Sequence, residues 1–311
     1  MGGPNSLDEV EVFLKNMFHD KNIITVKSDL LRSLISFMIV TSRKDEARSN
    51  YAKLGGKSPI IGYTEQLIKK LQNEFKDTYV TYAMRYTAPF AKDIVKELKE
   101  KNITKVTLLP LYPHYSTTTT KSSLEDFEKE LESLNIKSQY IDRFYENNLY
   151  NELLIDKLEE QLKEKNAEEF ELIFSAHSLP QKIVDNGDSY QKEVLLHVKL
   201  LKNILEKRNI KFANIHVAYQ SKLGPVKWLE PSLEDLLGSL TCKKVIISPI
   251  SFTIDNSETE FELSIEYKEI AKQLKYHEYL VAKCPNDSDK FIKVIQNIAN
   301  IPLQQDVKQP L

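Results

Sequence analysis

The chain has 311 residues, 41% apolar and 28% charged, with a formal net charge of −2 at pH 7. That length suits one large or two medium α/β domains around a sizeable core, and the charge leaves no global positive field to recruit nucleic acid. Two cysteines, Cys242 and Cys284, without a Cys-x-x-Cys pair exclude a cysteine-built zinc or iron–sulfur site and point to a reducing compartment. With no leader visible, a cytoplasmic protein is expected. The longest apolar-rich stretch, Leu30 to Val40, is too short to span a bilayer.

In chain order, Met1-Gly2-Gly3-Pro4 makes a turn with no element in front of it, so a first strand is expected to be missing. Apolar residues at helical spacing predict helices over Ser6–Met17, Asp29–Lys53, Tyr63–Phe75, Pro89–Glu100, Ser122–Leu134, Leu149–Glu164, Ser189–Lys207, Ser232–Leu240, Ser257–Leu274 and Asp287–Ile298. Between them, apolar and β-branched runs predict strands over Thr78–Arg85, Lys105–Tyr112, Lys137–Phe144, Glu171–His177, Ala213–Gln220, Lys244–Phe252 and Tyr279–Lys283. Runs such as Val245-Ile246-Ile247 suit a parallel sheet covered on both faces, and the alternation predicts a doubly wound α/β fold. The strand ends Leu109-Pro110-Leu111-Tyr112-Pro113 and Ile247-Ser248-Pro249-Ile250-Ser251-Phe252 are alike, which suggests two related halves meeting near residues 145 to 150.

Ligands in such sheets bind beyond the carboxyl ends of the strands, where the conspicuous polar residues fall. His177 closes one buried-looking strand, and imidazole binds borderline metals or takes a proton near neutral pH. A strand-end histidine is more often structural, but Pro180 fixes the turn and leaves this one at the cleft. After a second such strand, Asp255, Glu258, Glu262 and Glu266 recur three or four apart and would line one face of a helix. Like charges at that spacing repel; a solvated face is the bland explanation and a divalent cation the sharper one. One histidine with two or three carboxylates suits Fe²⁺ or a similar ion in open coordination. His114 is a weaker ligand candidate. Ser58 and Arg43 are candidate anion contacts, and Trp228 with Leu223 and Pro225 would supply an apolar wall. Leu30, Leu31, Leu34, Ile35, Phe37 and Met38 have helical spacing, as core or as an exposed apolar lip.

Seven motifs in order carry a resemblance that covers nearly the whole chain. They are Met1-Gly2-Gly3-Pro4, Gly55-Gly56-Lys57-Ser58-Pro59-Ile60, Met84-Arg85-Tyr86, Tyr112-Pro113-His114-Tyr115-Ser116, Phe174-Ser175-Ala176-His177-Ser178-Leu179-Pro180, Tyr219-Gln220-Ser221-Lys222-Leu223-Gly224-Pro225 and Phe252-Thr253-Ile254-Asp255-Asn256-Ser257-Glu258-Thr259. With them the chain resembles the ferrochelatases of the bacterial type without an iron–sulfur extension. The resemblance implies a lyase that inserts Fe²⁺ into protoporphyrin IX, with coproporphyrin III as the other porphyrin to consider, and releases two protons. Iron would be a substrate, with no permanently bound cofactor. It implies two Rossmann-like doubly wound halves around a central cleft: 1–147, lacking its first strand; 148–285, carrying the metal site; and 286–311, a C-terminal helix and tail returning to the first half. The metal-site pair falls on His177 and Glu258, with Glu262 as a further carboxylate of the catalytic path. Porphyrin contacts fall on Met1, Arg43, Tyr51, Ser58, Arg85, Tyr86, Tyr112 and Trp228. A monomer is favoured, with peripheral membrane contact through the Leu30–Val40 segment as an option. Departures from the family pattern are Asn256, where many relatives place a histidine, Lys121 in place of a glycine and Glu46 in place of a basic residue. The alternatives are a porphyrin or haem carrier, and a cobalt or nickel chelatase acting on an early tetrapyrrole.

Overall fold

The computed structural model describes residues 1–132 and 134–299. Two parallel sheets form its centre. β1 (Lys105–Leu108) pairs with β2 (Lys137–Tyr140). β3 (Glu171–His177), β4 (Asn214–Gln220), β5 (Lys244–Pro249) and β6 (Glu278–Val281) form a second sheet in the order β4-β3-β5-β6. Helices connect successive strands, as parallel pairing requires, and the doubly wound α/β architecture expected from the sequence is present.

Side-chain alternation along β3 and β5 explains why both read as unbroken apolar runs. Leu172, Phe174, Ala176 and Ile246 face one layer, built from the helices Asn148–Leu162, Tyr190–Lys207 and Asp289–Ala299. Ile173, Val245 and Ile247 face the other, with Leu233, Leu237, Leu263 and Tyr267. All of these strand residues are fully buried. Each of the larger ones, Ala176 aside, contributes on the order of 1.5–3 kcal/mol of apolar burial, which makes this sheet the rigid platform for whatever its strand ends carry.

Several boundaries differ from expectation for identifiable reasons. Thr78–Arg85 belongs to no strand ladder. Its N–H groups turn elsewhere, Val80 to the Gln72 side chain at 2.9 Å and Met84 to the Pro89 carbonyl at 2.7 Å. β1 stops at Leu108, two residues before Pro110, and β5 stops at Pro249, since proline donates no ladder hydrogen bond. The helix expected over Ser257–Leu274 is two pieces. Glu258–Glu266 winds as a π-helix and Tyr267–Gln273 as an α-helix. Asp29–Lys53 is one 25-residue helix capped by Ser28, whose hydroxyl accepts from the Leu31 N–H.

The two sheets' surroundings interlock. Thr253 Oγ1 donates to the Leu111 carbonyl at 2.8 Å, and the Tyr115 N–H donates to Glu193 at 2.8 Å. The helix Asp289–Ala299 packs Phe291, Ile292 and Ile295 into the cluster that holds Leu67 and Leu71, and Lys70 reaches Asp287 and Asp289. The tail expected beyond it lies outside the described residues. Among the described residues no helix is long and apolar enough to cross a membrane.

Candidate active site

His177 is the last residue of β3, where the sheet's carboxyl edge opens. Its Nδ1 lies 2.7 Å from Glu258 Oε2, and the two side chains are 37% and 27% exposed, so the pair sits at the boundary between core and solvent. Nε2 makes no hydrogen bond among the described residues. Burial works against a charged imidazole, but the Glu258 carboxylate, with Glu262 behind it, outweighs burial and holds the His177 pKa above its usual value. Burial likewise opposes ionisation of Glu258, while His177 and the Ser221 hydroxyl more than compensate, so Glu258 stays below the usual carboxylate range.

The π-helix sets the carboxylate spacing. Hydrogen bonds from i to i+5 widen the turn, so residues four apart stack more directly than they would on an α-helix. Glu258, Glu262 and Glu266 therefore run as a row from the half-buried site to the exposed surface. Ser221 sits between the first two, its Oγ 3.1 Å from Glu258 Oε2 and hydrogen-bonded to Glu262 Oε2. Burial, then repulsion from Glu258, pushes Glu262 up to about 7. An ionised carboxylate thus adjoins one that exchanges its proton near neutral pH.

Asp255 does not join the row, contrary to the four-carboxylate stripe expected. It is buried before the helix begins, where its carboxylate accepts from Asn286 Nδ2 at 2.7 Å and from the Cys284 N–H at 3.4 Å. Asn256 also has a local task. Its Oδ1 accepts from the Glu258 N–H at 2.8 Å and its Nδ2 donates to the Ile254 carbonyl at 3.1 Å, so the amide shapes the turn that presents Glu258.

The residues assigned to porphyrin contact divide into several settings. Tyr86 is buried, and its hydroxyl donates to Asp20 Oδ2 at 2.8 Å. Arg85 bridges Asp20 at 3.1 Å and Asp126 at 3.2 Å, with its Nε on Ser122 at 3.0 Å and its guanidinium 5.2 Å from the Tyr86 ring centre. Met1 accepts the Tyr86 N–H at 2.9 Å, and its amino group donates to the Tyr112 hydroxyl. Burial raises the Tyr112 phenol to about 12, which keeps it a neutral donor. Ser58 is buried under Gly3 with its hydroxyl on the Ile60 N–H, a local capping task. Tyr51, on the helix Asp29–Lys53, donates to Ser257 at 3.2 Å and so ties that helix to the Glu258 turn. Arg43 is half-exposed beside Glu46, 3.9 Å away. Trp228 anchors its indole N–H on the Leu223 carbonyl at 3.2 Å, and Leu223 packs against the apolar cluster of Val10, Phe13, Tyr51 and Tyr86. His114 lies in the core, 2.9 Å from His197.

Sequence reasoning passed over Asp20 and Ser221. Asp20 is the shared anion under Arg85 and Tyr86, 65 and 66 residues away, which no spacing rule reveals. Ser221 lies inside the Tyr219–Pro225 motif and is held at φ 67°, a left-handed conformation uncommon for serine. Among the described residues, no three His, Cys, Asp or Glu side chains are grouped to hold a metal ion. His177 and Glu258 offer two donors and an open side, which suits a cation in passage more than a resident one.

Comparison with known proteins bears on the chain as a whole. A ferrochelatase family model matches residues 1–301. The chain is 57% identical over 300 residues to a ferrochelatase of a Nitratiruptor species, covering 96% of both chains. It is 52% identical over 301 residues to that of Sulfurimonas denitrificans, covering 96% of this chain and 95% of the relative. A ferrochelatase of Helicobacter pylori is 45% identical over 305 residues, covering 97% of this chain and 91% of the relative. In fold, the chain is similar to the structure described as SirB from Bacillus subtilis with Fe³⁺, with a TM-score of 0.54 at 11% identity over 77% of this chain and 89% of that one. An α/β chelatase fold with a half-buried His177–Glu258 pair at its strand ends, matched along nearly its whole length, belongs to the ferrochelatase family.

Proposed function

We propose that the cleft at the strand ends inserts Fe²⁺ into protoporphyrin IX, giving protohaem and two protons, with iron as substrate and no resident cofactor. The observation that carries the site reading is the His177–Glu258 pair, 2.7 Å apart, opening onto a carboxylate row that reaches the surface. A planar porphyrin hides its nitrogen lone pairs and carries two N–H groups, so metalation needs ring distortion, proton removal and a metal stripped of water. Distortion worth about 1–5 kcal/mol can be drawn from binding elsewhere on the macrocycle. The apolar walls near Trp228, Leu223 and Met1 supply that binding. Arg85 and Tyr112 give the macrocycle a polar wall; Asp20 and Ser122 fix Arg85, and the buried Tyr86, its proton on Asp20, stands behind it.

His177 meets the ring with the nitrogen that Glu258 leaves free. With its pKa raised by that carboxylate, it accepts a pyrrole proton more readily than an isolated imidazole would. Glu262, poised at about 7, passes charge between Glu258 and the exposed Glu266. The helix Asp29–Lys53 presents Leu30, Leu34, Phe37 and Met38 to solvent, with Leu30 86% and Phe37 65% exposed. An apolar row of that kind supports shallow contact with a lipid surface from which a sparingly soluble porphyrin is drawn. The test is anaerobic mixing of the protein with excess Fe²⁺ and protoporphyrin IX, with coproporphyrin III in parallel. Many turnovers per protein in the absorbance spectrum are expected; a shift that stops at one equivalent would mean a carrier.

A further inference from the structure

Backbone direction at the end of β3 leaves His177 without a strand partner on one side. The Ser175 carbonyl accepts from the Ile250 N–H at 3.0 Å, while the Ser178 N–H donates to the Gln220 carbonyl at 2.8 Å on the opposite edge. Alternation along a strand therefore turns the N–H and carbonyl of His177 toward β5. β5 has already ended there, at Pro249. Two side chains take the place of the missing backbone. The His177 N–H donates to Ser251 Oγ at 3.3 Å, and the Tyr190 hydroxyl donates to the His177 carbonyl at 2.9 Å. The two hydroxyls are 2.7 Å apart.

Donor accounting admits one arrangement. The phenol proton is spent on the His177 carbonyl, so the Ser251 proton goes to the Tyr190 oxygen, and the Ser251 oxygen accepts the His177 N–H. The result is a closed ring of three hydrogen bonds around one residue's backbone. Burial drives the Tyr190 pKa upward and keeps its donor in place. The ring of Tyr190 is itself fixed in the core, edge-on to His114 at 5.8 Å, and the Tyr190 backbone N–H donates to Asp188 Oδ1 at 2.9 Å. His114 in turn bonds His197, and His197 bonds Asn151, each at 2.9 Å.

We propose that Tyr190 and Ser251 are positioning residues for His177, fixing its backbone so that the imidazole is aimed before substrate arrives. This rests on the role given to His177 above. Catalytic groups need placement to within a fraction of an ångström, and a small displacement is felt in the rate more than in binding.

The test compares wild type, Tyr190→Phe, Ser251→Ala, their double variant, His177→Ala and His177→Ala/Tyr190→Phe in steady-state turnover of Fe²⁺ and protoporphyrin IX. Folding is checked by quenching of porphyrin fluorescence on binding. Each single variant is expected to lower kcat about tenfold with the porphyrin KM within about twofold of wild type. The double variant should lose about as much as either single one, because one break opens the ring. In the His177→Ala background, Tyr190→Phe should change nothing further. Wild-type kcat in both single variants, losses that multiply in the double, or an effect confined to KM would overturn the proposal. If Tyr190→Phe fails to bind porphyrin, Ser251→Ala carries the same comparison alone. Wild-type turnover in His177→Ala would remove the reading of His177 itself, whereas an inactive His177→Ala beside a fully active Tyr190→Phe removes only the positioning role.

Discussion

Glu262→Gln should make the protein more stable at pH 8 and less active. Burial and the Glu258 charge move the Glu262 pKa from 4.5 to about 7 in the fold. A carboxylate whose folded value is raised costs stability once it ionises. That cost is absent below about pH 4.5, grows as pH rises, and is complete above pH 7. At about 1.4 kcal/mol per pH unit, the ceiling is roughly 3 kcal/mol at pH 8. Glu262 is only half-buried, so solvent screening lowers this to about 1–2 kcal/mol. Glutamine keeps the shape of the protonated acid and cannot ionise. For 311 residues, with an unfolding entropy of about 2 cal/mol/K per residue, the gain appears as a Tm rise of about 2–3 °C at pH 8 and under about 1 °C at pH 5. Thermal melts of both proteins across that range measure it. A shift of equal size at pH 5 and pH 8, or none at pH 8, would refute the raised Glu262 pKa and with it the joint action of burial and the Glu258 charge. Stability gained with turnover lost is the mark of a strained functional group.

Glu258→Gln should reduce turnover by on the order of 10²-fold, while Glu269→Gln, on the exposed face beside Lys272, leaves it within about twofold; anaerobic initial rates decide, and equal losses would contradict the role of the row. Tyr86→Phe strips one donor from the buried Asp20 carboxylate and should cost about 1–3 kcal/mol, read as a lower urea midpoint at unchanged slope. Leu34→Ser with Phe37→Ser should leave the melting temperature nearly unchanged, since both side chains are exposed. The same pair should weaken flotation with anionic lipid vesicles several-fold; undiminished flotation would place the membrane contact elsewhere.

How much of this was legible in the sequence depended on how far apart the partners lie. β3 and the helix Asp29–Lys53 have the boundaries expected because one is an unbroken apolar run and the other a long periodic segment with a serine cap. His177 and Glu258 stood out as polar residues directly after buried strands, and they meet. The stripe from Asp255 to Glu266 was right for three of its four members. The error at Asp255 comes from Asn286, 31 residues on, which claims that carboxylate and takes it out of the row. Spacing placed Glu258 and Glu262 on one face, but nothing in nine residues of sequence marks the winding as π rather than α. Arg85 and Tyr86 were found as a pair, but the Asp20 that orients both was not, since only the fold brings the helix Val10–His19 beneath them. The segment Thr78–Arg85 has a strand's composition yet no strand beside it, and composition alone does not supply a partner.

The most direct test is His177→Ala, assayed without oxygen for haem formation and, separately, for porphyrin binding. Turnover is predicted to fall by on the order of 10²-fold or more, with protoporphyrin IX affinity within about threefold of wild type, because Arg85, Tyr112 and the apolar walls are untouched. Turnover within about twofold of wild type would contradict the assignment of the chemistry to the His177–Glu258 pair.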